Sequence, residues 1–180
     1  MRPRVCLLAS AVFILLINAA PLPAATAESV NVASVDACSL LTQAQLSAAV
    51  GFSMESYFSR HDYSGTTNPC TWTRLPPKTA ESSPPGPTLV SLKLSVMSAE
   101  SFGGGFGADK INPAHEITSV SGLGDDAYYA TTALNAGASV TVLNVKKGGL
   151  CVQVTWLGTT DHQTVMNAEK TIAAQVLLGL

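Results

Sequence analysis

The sequence predicts a single α+β domain, in which an antiparallel sheet packs against a short N-terminal helix and an amphipathic C-terminal helix. Three observations support this fold class. A helix-capping pattern begins at residue 42, several segments alternate between apolar and polar side chains, and the last twenty residues carry a helical apolar stripe. No segment repeats at a fixed period, so we expect one domain over residues 28–180.

The first helix has a clear start and end. Thr42 and Gln45 have the spacing of a capping box, in which each side chain bonds the other residue's backbone N–H. Gly51 supplies the left-handed residue with which many helices end. The pattern predicts a helix over residues 43–50.

Strand patterns occupy much of the remaining chain. The clearest covers residues 89–97, where apolar and polar side chains alternate and the even-numbered ones share a face. A hairpin is expected from residues 139–145 and 150–157, joined across 146–149. Further strand segments are predicted at residues 52–59, 70–75, 117–120 and 126–132.

Two segments are predicted to be irregular, one of them a proline-rich loop and the other a glycine-rich stretch. Five prolines lie between Pro76 and Pro87, and because proline cannot donate to a strand ladder, this stretch is expected to be an exposed loop. A helical turn begins over residues 98–102, and the glycines at 103–105 and at 107 are expected to stop it.

The last helix is predicted from both its start and its stripe. Thr160 and Gln163 repeat the capping-box spacing, and Asp161 places a favourable negative charge at the helix N-terminus. We expect the apolar stripe to cover one face of the sheet. It consists of Val165, Met166, Ile172, Ala173, Val176 and Leu177.

Residues 1–27 have the pattern of a cleaved signal peptide. Arg2 and Arg4 precede an apolar run over 5–20, and small residues follow up to Ala27. A membrane-spanning helix needs about 20 apolar residues, more than this run supplies before its prolines. We therefore expect a secreted or periplasmic product without a membrane span.

Removal of that segment leaves 153 residues with eight basic and twelve acidic side chains, a net charge of −4. This length suffices for one domain with a sizeable core. Nucleic-acid binding requires clustered Lys and Arg, and the mature chain has no such cluster. Nucleic acid is therefore excluded as an expected partner.

Three cysteines remain in the exported product. Cys38 and Cys70 lie near the ends of predicted elements, and we expect them to form a disulfide worth about 3–4 kcal/mol. Cys151 lies inside a strand pattern, where a buried core residue is the simpler interpretation. A bridge from Cys151 to either of the others is the alternative.

Three short motifs occur in order along the mature chain: Asp36-Ala37-Cys38-Ser39-Leu40-Leu41-Thr42, Cys70-Thr71-Trp72 and the segment from Val120 to Ala127. Together they resemble an actinobacterial-type family of exported bacterial proteins and lipoproteins of unknown function. The opening motif is also distantly similar to the sensor domains of mycobacterial receptor kinases. The resemblance implies a sandwich similar to PsbP-like proteins and no catalytic residues. Many members are lipid-anchored, but this chain has no cysteine at the cleavage site, so we expect no anchor.

No motif predicts a catalytic, metal or cofactor site. His115-Glu116 begins like a zinc-protease helix, but Ser119 stands where the second histidine belongs. The run Gly122–Asp126 lacks both the third glycine of a nucleotide loop and the alternating ligands of a calcium loop, so a glycine turn explains it better.

These patterns favour a non-enzymatic ligand-binding, protein-binding or sensory module of the cell envelope or exterior. Its partner is expected to be a small apolar molecule or an envelope protein. A small hydrolase with a spatially assembled site, and a structural or interaction protein of the envelope, are the alternatives. Four aromatic residues are candidates for lining a ligand pocket: Trp72, Trp156, Tyr128 and Tyr129.

Overall fold

The computed structural model describes residues 35–57, 68–74, 90–158 and 161–180. The expected signal peptide and the proline-rich loop lie outside these ranges. The described chain forms helices α1 (Gln43–Val50), α2 (Ala99–Ile111) and α3 (His162–Gly179). Its strands are β1 (Glu55–Tyr57), β2 (Cys70–Thr73), β3 (Ser91–Ser98), β4 (Glu116–Ser119), β5 (Asp126–Ala133), β6 (Ser139–Lys147) and β7 (Leu150–Gly158).

The seven strands form one sheet in the order β1-β2-β3-β7-β6-β5-β4, and all neighbours are antiparallel. This confirms the predicted α+β class. The predicted hairpin is β6–β7, which turns at Gly148 with a φ of 56°. The strand predicted over 89–97 is β3, which begins at Ser91 and ends at Ser98.

Helices cover both faces of the sheet. We call the side that carries α1 and α3 the α3 face, and the opposite side the α2 face. Alternate residues of each strand point to opposite faces, so even-numbered apolar residues of β3 and β7 are buried together on the α3 face. The centre of that core contains Leu92, Leu94, Leu143, Val145, Val152 and Val154.

Helix α1 matches its prediction in full. The Thr42 hydroxyl accepts from the Gln45 backbone N–H at 3.2 Å, and the Gln45 side chain accepts from the Thr42 N–H at 2.9 Å. Gly51 closes the helix in the left-handed region with a φ of 81°. Because the helix has only eight residues, its stability depends on the buried contacts of Leu46 and Val50.

Helix α2 contradicts the expectation that its glycines end it. It continues through Gly103, Gly104, Gly105 and Gly107 to Ile111. Relative to alanine, four interior glycines cost about 2–4 kcal/mol. Burial of Phe102 and partial burial of Phe106 against the sheet offset that cost, at about 1.5–3 kcal/mol for a fully buried phenylalanine. Tertiary packing therefore decides this segment, as it often overrides propensity.

Helix α3 covers the α3 face as predicted, but its capping is different. The N-cap is Asp161, whose carboxylate accepts from the Thr164 backbone N–H at 3.0 Å. This bond lowers the pKa of the Asp161 carboxyl. The capping box expected from Thr160 and Gln163 is wrong, because the cap lies one residue later and Gln163 donates to Asn167 instead. No described helix is long and apolar enough to cross a membrane.

Candidate functional site

The predicted disulfide between Cys38 and Cys70 is present, with a Cα–Cα distance of 5.0 Å. It joins the short turn before α1 to the start of β2. A backbone bridge reinforces the same junction, since the Ala37 N–H donates to the Asn68 carbonyl at 3.2 Å. Cys151 is buried and unpaired, as the core interpretation expects.

The sheet separates the four candidate pocket aromatics. Trp72, Tyr129 and Trp156 are buried on the α3 face, whereas Tyr128 is buried on the α2 face. Consecutive strand residues point in opposite directions, so Tyr128 and Tyr129 cannot line one pocket. Whether any of the four contacts a ligand stays a prediction.

Tyr128 is the centre of an aromatic cluster beneath α2. Its ring centroid lies 5.3 Å from that of Phe102 and 4.8 Å from that of Phe106, both on the helix. Ala130 and Cys151 complete the buried part of this cluster on the sheet side. We call these five residues the α2 cluster. It is apolar except for the tyrosine hydroxyl and the thiol.

The tyrosine hydroxyl leads into a polar network at the end of α2. Tyr128 donates to one carboxylate oxygen of Asp109 at 2.9 Å, and His115 Nδ1 lies 3.0 Å from the other. Asn112 Nδ2 lies 3.1 Å from His115 Nε2, while the Asn112 oxygen accepts from the Ala114 backbone N–H. Asp109 and His115 are partly exposed, at 21% and 25%.

These contacts assign the histidine tautomer. A carboxylate can only accept, so Nδ1 of His115 carries a proton and donates to Asp109. The Asn112 amide nitrogen faces Nε2, so that ring nitrogen accepts. In this tautomer both ring contacts are satisfied, because Nδ1 donates to Asp109 and Nε2 accepts from Asn112.

This network was missed in the sequence because the helix that carries Asp109 was expected to stop. A signal was nevertheless present: Phe102, Phe106 and Asp109 are spaced at i, i+4 and i+7, which places them on one helix face. Gly105 is on the same side, and a Cβ added there would lie 3.4 Å from the Tyr128 hydroxyl. The small residue lets that hydroxyl pass along the helix to Asp109.

The Asp109–His115 pair has half of the arrangement of a hydrolase. A carboxylate orients the histidine ring, but Asn112 occupies the nitrogen that a nucleophile would use. Among the described residues, no serine, threonine or cysteine bonds to this ring. Cys151 is also a poor nucleophile, because burial raises the pKa of its thiol to about 11.

The Gly122–Asp126 run forms a turn that packs against the β6–β7 hairpin. Gly122 and Gly124 both have positive φ angles, as the turn interpretation predicts. The Asp125 carboxylate accepts from the Gly148 backbone N–H at 2.6 Å, so it holds two turns together. In the part of the chain that the structure describes, no group of three or more His, Cys, Asp or Glu residues could hold a metal ion.

A second polar cluster is buried on the opposite side of the sheet, between α3 and strands β6 and β7. Glu169 is fully buried, and neither of its carboxyl oxygens has a hydrogen-bond partner. The hydroxyl of Thr141 and the indole N–H of Trp156 are also buried without partners. Glu169 falls within the apolar stripe of α3, a position where a charged residue is not expected.

An open groove lies on the outer surface of α3, lined by the exposed residues between Asn167 and Leu178. All of its lining comes from one helix, so it cannot enclose a ligand. No protein-family model matches the chain, and no curated protein matches it. A function must therefore be argued from the residues themselves, and the α2 cluster with its polar network is the candidate site.

Proposed function

We propose that the protein is a non-enzymatic binding module that acts in the cell envelope or outside the cell. We infer that a small apolar ligand binds between α2 and the sheet and replaces the contacts that α2 itself makes with the sheet. The observation that carries this proposal is the position of a glycine-rich helix over an apolar, aromatic surface. The disulfide and the signal-peptide pattern support the location, since disulfides persist in oxidising compartments.

Helix α2 is weakly held for its length. Four of its thirteen residues are glycine, and Phe102 is its one fully buried side chain. Its N-cap residue, Ser98, makes no side-chain capping bond. Segments with few buried contacts open locally at a lower free energy than the whole domain. We therefore expect α2 to leave the sheet without global unfolding.

The surface that α2 covers has the composition of a ligand site. Tyr128, Ala130 and Cys151 are buried there, and Met97, Ile117 and Val142 lie partly buried around them. Such sites are mostly apolar with a few positioned polar groups. Here the Tyr128 hydroxyl supplies such a group at one end of the sheet surface, since its partner Asp109 belongs to α2 and moves with that helix. A ligand with an apolar body and one hydrogen-bond donor fits this distribution.

Stiffening α2 should weaken the binding of a neutral apolar probe. Gly103 and Gly104 have open space around an added Cβ, so the Gly103→Ala/Gly104→Ala variant should stabilise the closed helix by about 1–2 kcal/mol. If the probe requires open α2, its apparent Kd should rise about 5- to 30-fold. We would measure this by titrating N-phenyl-1-naphthylamine and following its fluorescence.

The matched control is Gly179→Ala, another helical glycine with open space, located at the end of α3. It should leave the probe affinity unchanged. Equal probe affinity in the double variant and the natural protein would contradict a site beneath α2. Mass spectrometry of small molecules that co-purify with the protein would then identify the natural ligand class.

Cys151 reports the same opening independently. Its thiol is buried beneath α2, so alkylation under native conditions requires the helix to move. We expect the Gly103→Ala/Gly104→Ala variant to slow labelling by about 5- to 30-fold, the same factor as for the probe. Val176→Ala, which removes buried volume from α3, should lower global stability without changing the labelling rate. A faster rate in Val176→Ala would show that Cys151 reacts only through global unfolding.

A hydrolase is the second candidate, and the Asp109–His115 contact is the observation that favours it. That function requires His115 Nε2 to lose its contact with Asn112 and to meet a nucleophile. A screen with chromogenic esters separates the two proposals. Turnover that His115→Ala abolishes would support the hydrolase, while the binding module is expected to give none.

A further inference from the structure

Glu169 occupies an unusual position for a carboxyl group. It is fully buried in the middle of α3, among the residues that pack on the sheet, such as Val165, Ala168 and Ile172. Both of its carboxyl oxygens lack hydrogen-bond partners. Burial raises the pKa of the Glu169 carboxyl and outweighs the effect of the Trp156 main chain on the sheet, which favours the ionised form. The Tyr129 side chain also interacts electrostatically with Glu169.

Among the residues that the structure describes, no charged side chain pairs with Glu169 to neutralise it when it ionises. The strand positions of β6 and β7 that face it carry no charged side chain, and every residue of α1 is uncharged. Tyr129 of β5 is the titratable group that faces it, and its hydroxyl donates to the Met166 carbonyl at 2.6 Å. On α3 itself, His162 and Lys170 are exposed. An unpaired buried carboxylate is strongly unfavourable, so the neutral form fits the folded state.

Two further polar atoms lie in the same interface. Thr141 and Trp156 face each other across the β6–β7 ladder on the α3 face. The Thr141 hydroxyl and the Trp156 indole N–H are both buried without partners. Three elements thus bring a carboxyl, a hydroxyl and an N–H into one interface that has no internal hydrogen bonds among them. Neutral polar groups can be buried in this interface, but its described residues include no oppositely charged group that would compensate the desolvation of a charged one.

We propose that Glu169 is an acid-responsive latch: its neutral carboxyl group lets α3 lie against the sheet, and ionisation of Glu169 requires α3 to lift until water reaches the carboxylate. The latch is closed in acid and loosens as the pH rises. It is independent of the binding site proposed beneath α2, because the two lie on opposite faces of the sheet.

The pH range of this effect follows from the direction of the shift. Burial raises the pKa of Glu169 well above its ordinary value of 4.5. Above pH 4.5 the unfolded chain loses this proton while the folded chain keeps it, so stability falls as the pH rises towards the folded-state pKa. The other shifts fall outside this pH range. The pKa of Asp161 is lowered from 3.8, and burial raises the pKa of Cys151 from 9.0 and those of Tyr128 and Tyr129 from 10.0.

The test compares unfolding of the natural protein and Glu169→Gln by urea between about pH 5 and pH 8. In this pH range the folded natural protein binds one proton more than the unfolded chain. Its unfolding equilibrium constant should therefore rise about tenfold for each unit by which the pH is raised. Glu169→Gln cannot ionise, so it should lose this dependence. The matched control is Glu116→Gln on β4, which removes an exposed carboxyl group and should retain it. An unchanged pH dependence in Glu169→Gln would overturn the latch.

A measurement on the natural protein keeps the proposal testable if Glu169→Gln does not fold. The protein would be labelled with carbon-13 at the glutamate carboxyl groups and measured by NMR. At pH 7, one carboxyl signal of the folded protein should have the chemical shift of a protonated carboxylic acid. If every glutamate carboxyl group had the chemical shift of an ionised carboxylate, the proposal would be overturned. Hydrogen exchange then tests movement: α3 amides should lose protection as the pH rises, after correction for intrinsic rates. Full α3 protection up to pH 8 would overturn the latch.

Discussion

Gly124→Ala is expected to destabilise the domain by about 2–5 kcal/mol, more than any other glycine substitution in the described chain. A Cβ at this position would lie 2.7 Å from the Val145 side chain and still closer to the Lys146 carbonyl oxygen. Both contacts involve β6, at a point where the sheet backbone cannot easily shift. The positive φ of 64° adds the ordinary penalty for a left-handed alanine.

Gly122→Ala is the matched control for this prediction. Gly122 has a similar φ of 74°, in the same turn, but an added Cβ there meets nothing within 4 Å. It should cost about 1–2 kcal/mol, from backbone conformation alone. The difference between the two variants in urea unfolding therefore isolates the steric contact with β6. Equal losses would show that the turn moves away from β6 and that the close approach does not constrain it.

The turn illustrates what a sequence pattern predicts and what it does not. The glycines and adjacent aspartates indicated a turn with positive φ, and the structure confirms it. Which glycine is tightly packed depends on strand β6, some twenty residues later in the chain. Likewise, the sequence did not indicate that Asp125 would accept from Gly148. The local backbone conformation of the turn was predictable from the sequence. The contact with β6 that makes a glycine necessary at residue 124 was not, because it involves residues far along the chain.

Helix α2 shows the same division more strongly. The glycines predicted that the helix would end near residue 103, which is wrong: it continues to Ile111, with Phe102 and Phe106 packed on Tyr128 of β5. The Asp109–His115 network could not be found once that helix was expected to end. In α1, by contrast, the residues that set its start and its end lie within ten positions of each other, and the capping box and final glycine were predicted correctly.

Glu169 could have been noticed from spacing alone. It is adjacent to Ala168 and four residues before Ala173, so helical periodicity places it within the apolar stripe. Sequence reasoning normally assigns a glutamate to solvent, because charged side chains are rarely fully buried. Its burial depends on how α3 is rotated against β6 and β7. That rotation is fixed by the larger apolar residues around Glu169, which outweigh one polar group.

The Cys38→Ala/Cys70→Ala variant is expected to lose about 4 kcal/mol of unfolding free energy, close to the whole stability of a marginal domain. The disulfide closes a loop with a sequence separation of 32, and breaking it enlarges the conformational freedom of the unfolded chain. That loop contains α1 and β1, which have only eight and three residues. Without the bridge, the Asp36–Asn68 backbone contact and the burial of Ala37 would remain to hold the turn before α1 to the segment before β2.

The control for the disulfide is Cys151→Ala, which removes a buried thiol but no crosslink. It should cost only about 1 kcal/mol, as expected for a small change of buried volume. Urea unfolding should therefore rank the natural protein and Cys151→Ala well above the double variant, and reduction of the natural protein should reproduce the double variant's loss. If the double variant were as stable as Cys151→Ala, the packing of α1 and β2 would hold this edge without the bridge. Loss of the disulfide should not affect the opening of α2, because the bridge and that helix lie on opposite faces of the sheet. Under conditions where the double variant is folded, Cys151 should therefore be alkylated at the same rate as in the natural protein.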